Sequence, residues 1–310
     1  MKLPVVIDTD PGIDDSLALI LAARAARLLA VSVSYGNTTL ANATRNARLV
    51  LARAGCAAPV FAGADRPLQR PLVTAKETHG TDGLGDHRLP PAEPVRSTPT
   101  SILDAVRAAG GPVTLVTLGP LTNLALALRH DTAFLRSHVT RHVAMGGNIA
   151  AAGNSGGLAE FNVWCDPEAA SEVFAARLGT ELVGLDVTRR LVIPAAAVHK
   201  LASHGDADAR WLGQLLGFYV RFHEEYEGLP GAVINDPLAV ALALDPSWGS
   251  AETDPIVVSR AETTGRGETR AGLPGDPPVR VYREVTVGPI HELLLEHLFG
   301  RWLTKADFEP

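Results

Sequence analysis

Cysteine is almost absent from this 310-residue chain: Cys56 and Cys165 are the two present, far apart and without CxxC spacing. That excludes a disulfide framework and a cysteine-based zinc cluster, and both residues read as buried thiols. No apolar run approaches the roughly 18 residues needed to span a bilayer, and the opening "MKLPVVIDTD" has no secretory apolar stretch. The expectation is a soluble, cytoplasmic protein with no membrane partner. There is also no basic run: 28 basic and 34 acidic residues give a net charge of −6. Such a balance disfavours nucleic-acid backbone as the ligand and favours a small molecule. No internal repeat or low-complexity tract is visible.

What is present is an alternation of short Val/Leu-rich runs with longer amphipathic stretches. "LPVVID" precedes a helical pattern over 14–29, "AVSVSY" one over 40–54, and "PVTLVTL" one over 120–129. Strand-like "VTRHVAM", a helix over 166–177 opening "DPEAA", and strand-like "TELVGLDV" follow, with "VRVYREV" as an edge or antiparallel addition. Continuous apolar strands between helices predict an α/β fold: an open, mostly parallel (mixed) central sheet, helices on both faces, Rossmann-like. In such sheets the active site lies at the C-terminal ends of the strands. One domain, 1–310, is expected, with elaborated loops at 63–93 and 146–161 and a helical active-site segment at 194–235. Within that segment, 206–228 reads as one helix with an aromatic and histidine stripe.

The most informative stretch is "VVIDTDPGIDD" at 5–15, which places Asp8, Asp10, Asp14 and Asp15 around a Pro-Gly turn directly after an apolar strand. Carboxylates that close raise one another's pKa unless a positive charge sits among them. Asp14 and Asp15 alone could be acids in the first turn of a helix, where negative charge gains up to about 1 kcal/mol. That accounts for one or two acids, whereas a converging cluster is what a hard divalent cation needs. An EF-hand is excluded, because counting from Asp8 puts Leu19 at the twelfth position, where a bidentate Glu belongs. Three further stretches sit at strand ends or helix starts: "TLGPLTNLA", which leaves the Leu118 carbonyl free, "INDPLAVA", with Asp236 before a helical Pro237, and "GNSGGLAEFN". Each alone is an ordinary helix start or loop.

Together they resemble the inosine-uridine preferring nucleoside hydrolases, a family of calcium-dependent N-ribohydrolases. The resemblance rests on "DTDPGIDD", "GN" at 36–37 with "ATRNA" following, "HGTDGLG" at 79–85, "TLGPLTNLA" at 117–125, "MGG" at 145–147, "AEFN" at 159–162 and "DPLAVA" at 236–241. It implies one Ca²⁺ held by Asp10, Asp15, Asp236 and the Leu118 carbonyl, lowering the pKa of an attacking water whose proton goes to Asp10 as general base. It further implies that Asp14 and Asn37 bind the ribose diol and water, and that Asn154, Glu160 and Asn162 grip the 3′- and 5′-hydroxyls, with Met145 and Phe161 beside the sugar. The implied reaction is hydrolysis of the N-glycosidic bond of ribonucleosides to ribose and free base, by a homodimer or homotetramer. Asp8 is expected to support structure rather than chemistry.

The sequence departs from the family where the inosine-uridine members place a leaving-group histidine directly before the "DPLAVA" aspartate; here that residue is Asn235. An amide donates a hydrogen bond but cannot deliver a proton at neutral pH. His79 and His223 are the candidates to compensate, His223 being equally readable as a solvated surface histidine on the face it shares with Tyr219. Two other functions start from the same residues. A haloacid-dehalogenase-type phosphatase also carries DxD after its first strand, matching Asp8 and Asp10, but leaves the remaining motifs without work. A non-catalytic calcium and ribose binder is motivated by Asn235.

Overall fold

Parallel pairing requires each apolar run to be covered on both faces, and the strand residues here meet that demand. In a computed structural model that describes residues 1–87 and 89–309 (Arg88, within the 63–93 loop, and Pro310 lie outside it), the strands are β1 (Pro4–Thr9), β2 (Arg27–Val33), β3 (Val60–Ala62), β4 (Val113–Thr117), β5 (Val139–Met145), β6 (Thr180–Val183), β7 (Val192–Ile193), β8 (Ala232–Val233), β9 (Gly249–Val258), β10 (Thr269–Ala271) and β11 (Pro278–Val285). Nine of them form one sheet in the order β10-β9-β11-β6-β5-β4-β1-β2-β3, while β7 and β8 make a separate antiparallel pair. From β3 to β11 every neighbouring pair is parallel; β9 and β10 add on antiparallel. The expected mixed, mostly parallel α/β sheet with helices on both faces is what the chain adopts.

The helices are α1 (Ile13–Ala25), α2 (Leu40–Arg53), α3 (Lys76–His79), α4 (Ser101–Ala109), α5 (Thr122–His138), α6 (Phe161–Cys165), α7 (Pro167–Ala175), α8 (Leu185–Thr188), α9 (Ala195–Ala202), α10 (Ala207–Phe222), α11 (Asn235–Leu244) and α12 (Val287–Leu294). Along β1, Val5 and Ile7 pack into the core shared with α1, α2, α10 and α11, while Val6 faces the core shared with α4, α5 and α7. Helix α1 is buried from Ile13 to Ala22, and α11 from Asp236 to Ala243. Both are apolar on all sides, as a helix sandwiched between layers must be.

Several boundaries differ from the sequence reading. The helix expected over 14–29 ends at Ala25, because "RLLAVSV" from Arg27 already belongs to β2. Strand "TELVGLDV" stops at Val183, where Gly184 caps the short helix α8. Strand β11 is interior, not an edge, pairing in parallel with β6 and antiparallel with β9. The single helix expected over 206–228 ends at Phe222 and loosens into a π-helical turn, His223–Glu227. Segment 194–235 thus holds α9, α10, that turn and β8 rather than helix alone.

A polar bracket ties β5, β6 and β11 together from inside. Glu181 accepts from Arg141 Nε at 2.6 Å and Nη2 at 2.8 Å and from the Tyr282 hydroxyl at 2.9 Å. The same guanidinium donates to the carbonyls of Leu242 and Ala243 at the end of α11. Removing one partner of a largely buried pair strands the other. Replacement Arg141→Ala is therefore expected to cost about 3 kcal/mol of unfolding free energy, measured by urea denaturation, and a loss below about 0.5 kcal/mol would show the bracket to be inert.

Candidate active site

Strand order reverses between β1 and β4, and the chain leaves these adjacent strands in opposite directions. This is the crevice where open α/β sheets bind ligands. Asp10 follows β1 directly and Leu118 follows β4, while the first turns of α1 and α11 deliver Asp14, Asp15 and Asp236 to the same place. Two helix N-termini thus converge on the acids, each favouring negative charge.

The turn is held by its own backbone. Asp15 accepts from the Gly12 amide at 2.9 Å and from Asn37 Nδ2 at 2.7 Å, while the Asn37 amide donates to Asp10 Oδ2 at 2.6 Å. Asn37 therefore brackets two aspartates, a role the sequence did not suggest. Asp10 is packed on its other sides by glycine: a Cβ on Gly119 would lie 2.4 Å from Asp10 Oδ1, and one on Gly36 would lie 1.9 Å from Oδ2. The glycines of "GN" and "GP" are there because no side chain fits.

Asp8, Asp10 and Asp15 are wholly buried, and Asp14 and Asp236 nearly so. Burial first, and then neighbouring Asp15, push Asp14 up to about 7 and Asp10 well above the carboxylate range. Burial and then Asp14 raise Asp236 likewise. Asp8 rises to about 7 through burial, opposed by hydrogen bonds from Ser32 and Asn123. Oxygens of Asp14, Asp15 and Asp236 lie within 4.8 Å of one another, and Asp10 Oδ1 is buried with no hydrogen-bond partner among the described residues. A set of buried, mutually repelling oxygen donors with an orphaned member fits a hard divalent cation. The converging trio differs from the expected one: Asp14 stands in it and Asp10 does not. The Leu118 carbonyl is not free, since it accepts from Asn162 Nδ2 at 2.7 Å, although a carbonyl retains a second lone pair.

Above the acids lies a cavity walled by Asp14, Asn37, His79, Leu118, Met145, Asn154, Glu160, Phe161, Asn162, His223, Asn235 and Asp236. Nearly every expected site residue is brought together; Asp10 and Asp15 lie beneath the floor, not on the wall. Glu160 caps α6, with Oε1 accepting from the Asn162 amide at 2.8 Å and Oε2 from those of Gly147 and Val163 at 2.9 and 3.1 Å. Asn154 Oδ1 accepts from the Phe161 amide at 3.0 Å. Asn235 donates to Asp14 Oδ2 through its amide at 3.1 Å, and its Oδ1 is buried without a partner.

His79 Nδ1 accepts the Ile13 amide at 3.0 Å, capping α1, so the neutral ring carries its proton on Nε2. Burial and then His223 lower its pKa to about 3. His223 is no surface residue: it is 3% exposed, its ring centroid lies 4.2 Å from that of Tyr219, and burial lowers it to about 4. It lies one helical turn beyond Tyr219, on the same buried face of α10. The wall also contains Thr78, Ser155, Tyr219, Phe222, Glu227 and Val233, which lie in the expected active-site loops and the 194–235 segment without being singled out, and Leu185 and Arg189, which lie outside them. Tyr219 was visible as the i, i+4 neighbour of His223; the others carried no signal of their own.

Residues 5–291 match the family model described as inosine-uridine preferring nucleoside hydrolase. The chain belongs to that family. It is 33% identical to the inosine-uridine preferring nucleoside hydrolase of Crithidia fasciculata over 93% of each chain. It is 37% identical to the pyrimidine-specific ribonucleoside hydrolase RihA of Salmonella typhimurium, over 79% of this chain and 81% of the relative. Its fold superposes on a plant nucleoside hydrolase with a TM-score of 0.86 and 29% identity, covering 96% of this chain and 99% of the other. The family is metal-dependent and its members are hydrolases, which leaves the phosphatase reading of Asp8 and Asp10 without support. Among the described residues no helix is long and apolar enough to cross a membrane.

The contact between Gly119 and Asp10 generates a test of the floor. Gly119→Ala is expected to displace Asp10 and to lower turnover at least tenfold, with a stability cost of about 1–3 kcal/mol. Gly111→Ala, where a Cβ meets nothing within 4 Å, is the control. Equal turnover in the two variants would show that the position of Asp10 is immaterial.

Proposed function

We propose that this hydrolase cleaves the N-glycosidic bond of ribonucleosides, yielding ribose and the free base. The observation that carries the reading is the acid-floored cavity at the strand-order reversal, rimmed on one side by amide and carboxyl groups and on the other by the His79, Tyr219 and His223 rings. A polar rim suits a sugar, and a ring-lined end suits a flat base.

In this account Asp10, Asp15, Asp236 and the Leu118 carbonyl would hold a Ca²⁺ ion, and Asp14, whose carboxyl converges with those of Asp15 and Asp236, would be a further donor. Such a cation would neutralise the buried carboxylates, fix the ribose diol and acidify a water. Asp10, whose Oδ1 has no other partner, accepts the proton of the attacking water. Asp14 and the free Oδ1 of Asn37 meet the diol, and Asn154, Glu160 and Asn162 face the 3′- and 5′-hydroxyls, with Met145 and Phe161 flanking the ring. Glu160 accepts three backbone amides, one on Oε1 and two on Oε2, so Oε1 keeps a lone pair for a hydroxyl. As the bond breaks, the sugar gains oxocarbenium character that the carboxylates beneath it stabilise. A deoxyribose would leave buried partners unpaired, so ribosides are preferred.

The same reading takes residues 1–310 as one working domain, with a small-molecule ribonucleoside and not nucleic acid as ligand. It takes the protein to be cytoplasmic and, on the family's habit, a homodimer or homotetramer. The competing view, a calcium and ribose binder without activity, draws on Asn235.

Ribose release measured across a nucleoside panel decides between them. Ribosides are expected to be cleaved and 2′-deoxyribosides to lag by at least 10²-fold, with activity lost on exhaustive chelation and restored by Ca²⁺. Asp10→Asn should reduce turnover by about 10²–10⁴ or more, while Asp8→Asn, whose Oδ1 is tied to Asn123 at 2.8 Å, should reduce it far less. Undiminished hydrolysis by cation-stripped protein would contradict the account.

A further inference from the structure

The cavity lacks an obvious acid for the departing base. Asn235 has no proton to give, and His79 and His223 are held neutral by burial. Neutral imidazole donates a hydrogen bond but does not protonate a leaving group at neutral pH. The Tyr219 hydroxyl is pushed further from use by its own burial.

Four carboxyl groups line the cavity: Asp14, Asp236, Glu160 and Glu227. The first two belong to the floor cluster. Glu160 has both oxygens occupied by backbone amides. Glu227 remains. It closes the π-helical turn that begins at His223, lines the same cavity as the Tyr219 and His223 rings, and is near enough for its charge to act on the Tyr219 hydroxyl; on its other side it borders Asn154. It is half-buried, and among the described residues its carboxyl has no hydrogen-bond or ion-pair partner. It also lines the adjoining hollow shared with Asn154, Arg189, Phe222 and Tyr226, which opens a route for exchange with solvent.

We propose that Glu227 is the proton donor to the departing nucleobase, a role that rests on the ribohydrolase reading above. The C1′–N bond breaks with its electron pair going to the base, and the Glu227 carboxyl proton goes to a base nitrogen. Water supplies the new C1′–O bond and loses its proton to Asp10, and the Glu227 carboxylate recovers a proton from solvent through the outer hollow. Atoms balance as nucleoside plus water giving ribose plus base.

The surroundings suit the task. Burial raises the carboxyl's pKa, opposed by the charge of Arg189. Arg189 does not close on the carboxyl, because its Nη1 donates to the Ala152 carbonyl at 2.8 Å. Tyr219 from α10 and His223 and Tyr226 from the same turn share its cavity and outer hollow, with Asp14, Glu160, Asp236 and His79 elsewhere on the cavity wall, and His223 is held neutral by burial. The sign is then fixed: Glu227 must be protonated to act, so this step is available at low pH and is lost as pH rises through the carboxyl's raised pKa.

The test compares natural nucleosides with an activated aryl riboside, whose leaving group carries negative charge unaided. In Glu227→Gln, the ratio of kcat/KM for 4-nitrophenyl riboside to that for inosine or uridine is expected to rise by about 10²-fold or more. The alkaline limb of the wild-type nucleoside profile should vanish in Glu227→Gln and persist in Glu227→Asp, which keeps a titratable carboxyl. An unchanged ratio, or a wild type that cleaves only the aryl riboside, overturns the assignment. Failure of the wild type to release ribose from either substrate would instead bring down the ribohydrolase reading itself, and this role with it.

Discussion

Mutual repulsion among buried carboxylates is the constraint on which the rest of this structure depends. Asp8, Asp10, Asp14, Asp15 and Asp236 lie at or beneath the floor of one cavity, all of them buried. Desolvation raises the pKa values of Asp8, Asp10, Asp14 and Asp236, and like charge adds to it at the last three; the chain supplies only partial relief: two helix N-termini, the amides of Gly12 and Asn37, and the Asn123 side chain. An arrangement so costly to ionise in isolation has its rationale in a cation, which converts the liability into a binding site.

The topology makes that concentration possible. Only where strand order reverses can the ends of two adjacent parallel strands and the starts of two helices meet without crossing loops. The helices involved, α1 and α11, are sheathed in Leu, Ile, Val and Ala, so their N-termini are fixed by the core. Rigidity there matters because oxygen ligands and sugar partners must be held before substrate arrives. By contrast, the ring-lined end is built from α3, the π-helical turn and the β8 stretch around Val233, each of which packs against α10.

This contrast explains how much was legible in the sequence. Continuous Val/Leu runs announced the parallel strands, and the Asp10, Asp15, Asp236 and "AEFN" positions stood out only together, through the family resemblance, each alone being an ordinary helix start or loop. The register of the floor could not be read: whether Asp10 or Asp14 joins the converging trio depends on sub-ångström placement of a turn that Gly36 and Gly119 crowd. Nor could the burial of His223, because a helical repeat gives it the same face as Tyr219 but does not say whether that face meets the core. Glu227 was invisible for the same reason, one more acid in "HEEYE" until the turn placed it in the cavity. The exchange of histidine for Asn235 was plain, yet its consequence depends on neighbours distant in sequence.

The most direct test of the central claim is a crystal structure of the protein grown with Ca²⁺ and ribose. The account predicts a single strong peak among the carboxylates at the ends of β1 and the starts of α1 and α11, in contact with the 2′- and 3′-hydroxyls of ribose seated between Asn37 and Asn162. Those distances would also establish whether Asp10 or Asp14 completes the ligand set. Ribose bound with no ion among these aspartates, or an ion held elsewhere while they remain protonated, would contradict it.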